Sequence, residues 1–187
     1  MMETRGGDLV GGGMKMKAVV AIDESDGSFY ALKWALDNLF APMAAVGPLA
    51  TDPDPPPNEG LLFLVHVQPT FYPPVYPVGP AAFAAPAVMD AVKKAQEEIS
   101  ARIISKALQM CKDKLQVRAE SVIMNGDPRE MICQAAEKMQ VDLLVMGSRG
   151  LGTFKRAILG SVSDYCAHHA KTPILIVKPN MELHHKH

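Results

Sequence analysis

The stretch VDLLVMGSRGLGTFKRAILGSVSDYCAHHAKTPILIVKP, residues 141–179, decides how this chain is read. Its first six residues are an almost unbroken apolar run, the mark of a strand buried on both faces. The run stops at Gly147, followed by Arg149, Gly150, nine further residues, and then Gly160-Ser161-Val162-Ser163. Glycines and serines placed directly after a buried strand make either a flexible loop or a cradle for an anion. Two features favour the cradle. The residues after Gly160 have helical character, so a helix begins at or near Ser161, and its first amides have no intrahelical partner. Glycine at such a place lets backbone N–H groups reach an anion without a β-carbon in the way.

Working outward from that stretch, the remaining elements alternate. KAVVAID (17–23) is a short Val- and Ile-rich run that predicts a buried strand. GSFYALKWALDNLF (27–40) carries Leu32, Ala35 and Leu39 at helical spacing, with Ser25 and Asp26 before it as capping residues. LLFLVHV (61–67) predicts a second buried strand. A long amphipathic helix is expected from Val88 to Lys114, with Val88, Val92, Ala95, Ile99 and Ile103 as its apolar stripe. QVRAESVIM (116–124) reads as a third strand. NGDP is a turn with Asp127 as N-cap and Pro128 as the first helical residue of 129–140. Residues 141–146 make the fourth strand, 161–170 a short helix and 173–179 the fifth strand.

Twelve of the fifteen prolines lie between positions 41 and 86. They mark two Pro-rich insertions, about 41–60 and 68–86, within one domain spanning 17–180, because each flanking strand needs the others to bury its faces. Residues 1–16 and 181–187 read as flexible tails.

Strands and helices in strict alternation predict an α/β domain, a Rossmann-like open sheet of five parallel strands with helices on both faces. With right-handed crossovers the expected order is 3-2-1-4-5, which sets strands one and four side by side where the winding reverses. Open α/β sheets bind ligands beyond the carboxyl ends of the strands at such a switch point. That places Asp23, after strand one, opposite the Gly147 segment, after strand four. In this reading the first amides of the last helix and the hydroxyls of Ser161 and Ser163 donate to phosphate oxygens. Gly147 and Gly150 turn the chain and leave room for a ribose, and Arg149 and Lys155 add charge. Two familiar alternatives fail. Lys155 stands where a dinucleotide fingerprint needs its third glycine, and no Gly-Lys-Ser/Thr precedes the helix as a Walker loop requires.

Gly147-x2-Gly150-x9-Gly160-Ser161 resembles the nucleotide-binding motif of the universal stress protein family, in its ATP-binding branch. VVAIDES, ALKWAL, LVHV, NGDPREMI and VDLLVMGSRG are similar to the same family, and the resemblance covers about residues 15–179 without the inserts. GSRGLG together with Trp34 looks most like the single-domain plant members. The resemblance implies an adenine nucleotide, ATP, ADP or AMP, in the switch-point crevice. Ala21 and Ile22 would form its wall, and Asp23 would lie near the ribose or a phosphate-bound Mg2+. Val67, or His66 beside it, would offer backbone groups to the adenine edge. Met146 and Gly147 would flank the ribose, and Gly150, Gly160, Ser161, Val162 and Ser163 would hold the phosphates. Family members often carry Thr at the position of Ser163; either hydroxyl can donate.

Composition narrows the setting. The chain has 187 residues, 48% hydrophobic and 21% charged, with a formal net charge of -1, which gives no footprint for nucleic acid or a membrane surface. The longest strongly apolar run, 61–67, is far short of a membrane span, and the N-terminus lacks a signal-peptide core. Three cysteines without a CxxC pair argue against a disulfide framework or zinc site, so a cytoplasmic setting with nuclear access is expected. His66 reads as a structural strand-end residue, His168 and His169 as complements of a helix C-terminus, and His184, His185 and His187 as solvated tail. Cys133 and Cys166 read as small buried hydrophobes on helix faces.

The expectation is an adenine-nucleotide-binding stress-response or signalling module in which occupancy acts as a switch. The alternative is a slow ATPase or phosphoryl-transfer enzyme using the same site. Against it stand the lack of a positioned base near a γ-phosphate and a single carboxylate, Asp23, for a metal. An interaction protein with an empty site is disfavoured by the intact glycine motif. The apolar last strand, 173–179, would be a bare sheet edge, so a homodimer paired through it is expected.

Overall fold

A computed structural model describes residues 16–40, 60–70, 86–114, 117–150 and 159–179. The two tails, most of both Pro-rich insertions, and Gly152 and Lys155 lie outside the described residues. The strands are β1 (Lys17–Ala21), β2 (Gly60–Gln68), β3 (Val117–Asn125), β4 (Leu143–Gly147) and β5 (Ile174–Val177). The helices are α1 (Asp26–Ala35, continued by a π turn over Leu36–Phe40), α2 (Pro86–Lys112), α3 (Pro128–Lys138) and α4 (Ser161–His169).

The sheet has five strands in the order β3-β2-β1-β4-β5, every neighbouring pair parallel. This is the expected order, with β1 central and paired to β2 on one side and β4 on the other. Val20, for instance, registers with both Leu64 and Val145. Alternate residues feed two apolar layers. Ala18, Val20, Leu62, Leu64 and Val145 pack with Leu32, Leu36 and Phe40 of α1 and Ile103, Ile104 and Ala107 of α2. Val19, Ala21, Val65, Val67, Leu144 and Met146 face the other way onto Ile132, Ala135 and Ala136 of α3 and Cys166 of α4. Complete burial of side chains such as Val19, Val20, Leu62 and Leu144 removes about 1.5–3 kcal/mol worth of apolar surface from water for each.

Three local outcomes differ from the sequence reading. The apolar stripe of α1 was expected to continue from Ala35 to Leu39, but Leu39 is half-buried and Phe40 is 1% exposed. The π turn is wider than an α turn and shifts the phase of the stripe by about one residue. Phe40 then covers the α-carbon of Gly60, where a side chain would collide with the ring. In α2, Val88 is 51% exposed and Ala95 is also exposed, while burial begins near Ile99. A helix of 27 residues is about 40 Å long, whereas the nine residues of β2 span about 30 Å, so the first turns overhang the sheet. Helix α3 ends at Lys138, not Gln140, and Gln140 takes a left-handed conformation at φ 49° after the Met139 cap. Its start is as expected: Asp127 caps it by accepting from the Arg129 amide at 2.9 Å, and Pro128 is its first residue.

Candidate nucleotide-binding crevice

A cavity of about 850 Å³ opens beyond the carboxyl ends of β1, β2 and β4, where the winding reverses. Small-molecule sites commonly occupy about 300–1,000 Å³. The sequence pointed to Ala21, Ile22 and Asp23 at the end of β1, Val67 on β2, and Met146, Gly147, Arg149 and Gly150 after β4. It pointed also to Gly160, Ser161, Val162 and Ser163 at the start of α4. All twelve line this cavity.

The segment after β1 is fixed by its own hydrogen bonds. Asp23 Oδ1 accepts from the Ser25 amide at 3.0 Å and from the Ser25 hydroxyl. Ser25 in turn caps α1, its Oγ accepting from the Ser28 amide at 3.3 Å. Ser28 Oγ accepts from the Asp23 amide at 3.2 Å and donates to the Ser25 carbonyl at 2.9 Å. The turn therefore holds the Asp23 carboxylate by one oxygen and directs the other towards Gly150.

Across the crevice, two glycines are demanded by close approach. A β-carbon at Gly147 would stand 2.7 Å from the Gly27 carbonyl oxygen, so the end of β4 packs directly on the first turn of α1. A β-carbon at Gly150 would stand 2.8 Å from Asp23 Oδ2. The sequence reading gave these glycines a turn and room for a ribose; the structure adds that they let β4 and its loop close against α1 and Asp23.

Helix α4 starts with Gly160 as N-cap, at φ -76° and ψ 159°, and no side chain caps it. The Gly160 amide donates to the Ser148 carbonyl at 2.8 Å, which anchors the loop, and the first intrahelical bond comes from Asp164. The amides of Ser161, Val162 and Ser163 thus stand at the crevice without a capping side chain, at the positive end of the helix dipole. The Ser163 hydroxyl, read as a phosphate donor, is buried and lies 3.0 Å from the Gly160 carbonyl and 3.1 Å from the Ser148 carbonyl. Its single proton serves the loop itself. Ser161 and Arg149 are exposed.

The wall between these polar ends is apolar: Ala21, Ile22, Val67 and Met146 are all buried. Residues that the sequence reading did not assign to the site complete it. Pro128 and Ile132 of α3 line the cavity at a spacing of four, and Gln96, Ser100 and Ile103 of α2 do so at four and seven. Helical periodicity carried that signal, but only the sheet order shows which helix faces reach the crevice. Gln68 joins the α2 group, donating to Ser100 Oγ at 2.8 Å. His66, 7% exposed, sets its Nδ1 2.8 Å from the Ile22 carbonyl, which can only accept, so Nδ1 carries a proton and donates. It is a strand-end link between β2 and the segment after β1, as its position suggested. His168 and His169 donate from Nδ1 to the carbonyls of Asp164 and Tyr165, each at 2.8 Å, satisfying the last turns of α4. Outside the crevice, the Arg129 guanidinium holds the Asp127 carboxyl below the usual carboxylate range. No helix among the described residues is long and apolar enough to cross a membrane.

The comparisons with known proteins agree with this fold. Among curated proteins, the universal stress protein PHOS34 of Arabidopsis thaliana is 33% identical over 172 residues, covering 89% of this chain and 63% of that protein. The chain spans less than two thirds of the length of the curated relatives it matches. Among solved structures, universal stress protein UspA from Lactobacillus plantarum superposes with a TM-score of 0.62 at 18% identity, covering 87% of this chain and 97% of that one. A universal stress protein family protein from Arabidopsis thaliana with AMP bound gives a TM-score of 0.58 at 23% identity, covering 89% and 94%. The model of the universal stress protein family matches residues 14–178, a span that runs from β1 through the crevice to β5, and the chain belongs to that family.

Proposed function

We propose that this chain binds an adenine nucleotide in the switch-point crevice and acts in stress response or signalling as a nucleotide-dependent switch. The observation that carries the reading is the uncapped N-terminus of α4 and the Asp23 carboxylate opening into one largely apolar cavity. Each part suits one part of the ligand. Backbone amides at a helix N-terminus suit phosphate oxygens, a half-free carboxylate suits ribose hydroxyls, and buried aliphatic walls suit a purine. In support, the similar Arabidopsis structure holds AMP. The donor roles then fall on the backbone amides of Gly150, Ser161, Val162 and Ser163, while Gly160, whose own amide is held by the Ser148 carbonyl, leaves the approach open; Met146 and Gly147 stand beside the ribose and Arg149 at the rim.

Mg2+ fits this arrangement only as part of a metal–nucleotide complex. Among the described residues no group of three or more His, Cys, Asp or Glu side chains is placed to hold a metal. Mg2+ is commonly held by one or two carboxylates together with substrate phosphates, and Asp23 Oδ2 is the carboxylate oxygen available here. A single such oxygen supports binding better than turnover, so any hydrolysis is slow.

We place the protein in the cytoplasm as a homodimer. Among the described residues β5 pairs only with β4, and Ile174, Leu175 and Ile176 on it are incompletely buried. A two-fold pairing through 173–179 would cover that edge.

The test is to purify the chain, denature it and separate the released small molecules by chromatography. AMP, ADP or ATP should appear, or bind when added to the emptied protein. A folded protein that neither carries nor binds any of the three refutes the reading.

A further inference from the structure

Cys133 on α3 and Cys166 on α4 were expected to be no more than small buried hydrophobes. Their sulfurs lie 3.5 Å apart, with the Cys133 thiol donating to Cys166 Sγ. The Cys166 thiol in turn points its proton to the Arg129 carbonyl, at 3.8 Å. The two residues are 33 positions apart in sequence and sit on helices packed side by side. A disulfide needs sulfurs at about 2.0 Å, so closure asks for about 1.5 Å in total, roughly three quarters of an ångström from each sulfur. Access is unequal. Cys166 is fully buried, while Cys133 is half-buried and within reach of a small oxidant.

We propose that Cys133 and Cys166 form a peroxide-sensitive dithiol whose oxidation crosslinks two of the helices that line the crevice, α3 and α4. The Cys133 thiolate attacks hydrogen peroxide; the S–O bond forms, the O–O bond breaks, and the departing hydroxide takes up the proton that Cys133 lost, leaving as water. Cys133 is now a sulfenic acid. The Cys166 sulfur then attacks Cys133 Sγ, the S–S bond forms and the S–O bond breaks. The second hydroxide departs with the Cys166 proton as water. Two thiols and one peroxide give one disulfide and two waters. The order of events follows from the environment: burial pushes the Cys166 thiol well above the usual range, so it stays protonated and waits for the oxidised partner. Cys111 is a bystander, 2% exposed and pushed up to about 11 by burial.

The crosslink acts on the crevice because its anchors adjoin the lining. Ile132, the neighbour of Cys133, and Val162, one turn before Cys166, both face the cavity. Drawing the sulfurs together shifts these walls relative to each other and changes ligand affinity. That consequence rests on the nucleotide reading; the disulfide itself does not.

The test uses the full chain treated with stoichiometric hydrogen peroxide, then denatured and alkylated. The expected product has lost two hydrogens, carries one alkyl group, on Cys111, and yields a peptide pair joining Cys133 to Cys166 that dithiothreitol separates. Cys133→Ser and Cys166→Ala should each abolish that pair. Should the buried Cys166→Ala not fold, Cys133→Ser, at the more open position, still decides. Three alkylated cysteines after treatment, a sulfinic acid at Cys133 beside a free Cys166, or a bridge only between two chains would overturn the proposal. AMP titration of the reduced and oxidised forms should differ by at least about fivefold in wild type and not in Cys133→Ser, the low end of usual coupling between sites. Equal affinities in a crosslinked protein that binds AMP overturn the effect on the crevice. A reduced protein that binds no AMP overturns the nucleotide reading instead, and leaves a mapped crosslink standing.

Discussion

Asp23 Oδ2 lies 2.8 Å from where a β-carbon at Gly150 would stand, while Oδ1 of the same carboxylate is held by Ser25. The carboxylate therefore cannot swing aside without breaking the turn that starts α1. Gly150→Ala should displace Asp23 and lower AMP affinity about tenfold, equivalent to about 1.4 kcal/mol, with the circular dichroism spectrum unchanged. Calorimetric titration measures it. Wild-type affinity in Gly150→Ala would mean that the Asp23 position does not matter to the ligand.

Gly160 differs from Gly150 in a useful way. Its backbone angles are ordinary, and an added β-carbon would meet its nearest neighbours, Arg149 Cα, Gly150 N and Ser163 Oγ, at 3.5–3.6 Å, an ordinary contact. Gly160→Val should thus fold, but its branched side chain stands where a phosphate would approach the α4 amides. Nucleotide affinity should fall at least about tenfold. Ser161→Ala should weaken binding less, by about 0.5–1.5 kcal/mol, because one neutral donor is lost and water replaces it. A folded Gly160→Val that binds ATP as tightly as wild type would remove the phosphate cradle from consideration.

The sheet was legible because its signals are strong and local. Ala18, Val19 and Val20 form an apolar run with no polar face, which only a central strand tolerates, and Asp127-Pro128 starts a helix by an N-cap and a fixed φ. The crevice followed from the topology rule, since one strand order brings Asp23 and Gly160 together from positions far apart in sequence. What could not be read was geometry that depends on a partner element. The π turn that buries Phe40 instead of Leu39 is set by the Gly60 contact. The overhang of α2 depends on how short the sheet is. The use of the Ser163 hydroxyl by the Ser148 and Gly160 carbonyls depends on the path of a loop. The meeting of Cys133 with Cys166 depends on how α3 lies against α4.

The dimer can be tested at the edge strand. Ile176 registers with Met146 in the β4–β5 pairing and is incompletely buried. Replacing it by Lys puts a charge on the surface that a second copy would cover, a common means of keeping sheet edges apart. Light scattering should give a dimer mass for wild type at micromolar concentration and a shift towards monomer for Ile176→Lys. A wild-type monomer under those conditions would exclude pairing through 173–179.

The last prediction separates a switch from an enzyme and turns on Asp23. If its free oxygen supports a metal carried by the nucleotide, Asp23→Ala should weaken ATP binding more in magnesium than in EDTA. Because Asp23 Oδ1 also holds the Ser25 amide, Ala removes a turn contact along with the charge. Asp23→Asn keeps an oxygen acceptor for that amide and loses only the charge, so a metal-dependent defect shared by both variants belongs to the carboxylate. A defect equal in magnesium and EDTA would assign Asp23 to the ribose alone. Hydrolysis of ATP by the wild type should stay far below the median enzyme rate of about ten per second, because one carboxylate oxygen beside a helix N-terminus holds a phosphate without activating a water. Rapid magnesium-dependent turnover, lost in Asp23→Asn while ATP still binds, would instead make the crevice an ATPase site.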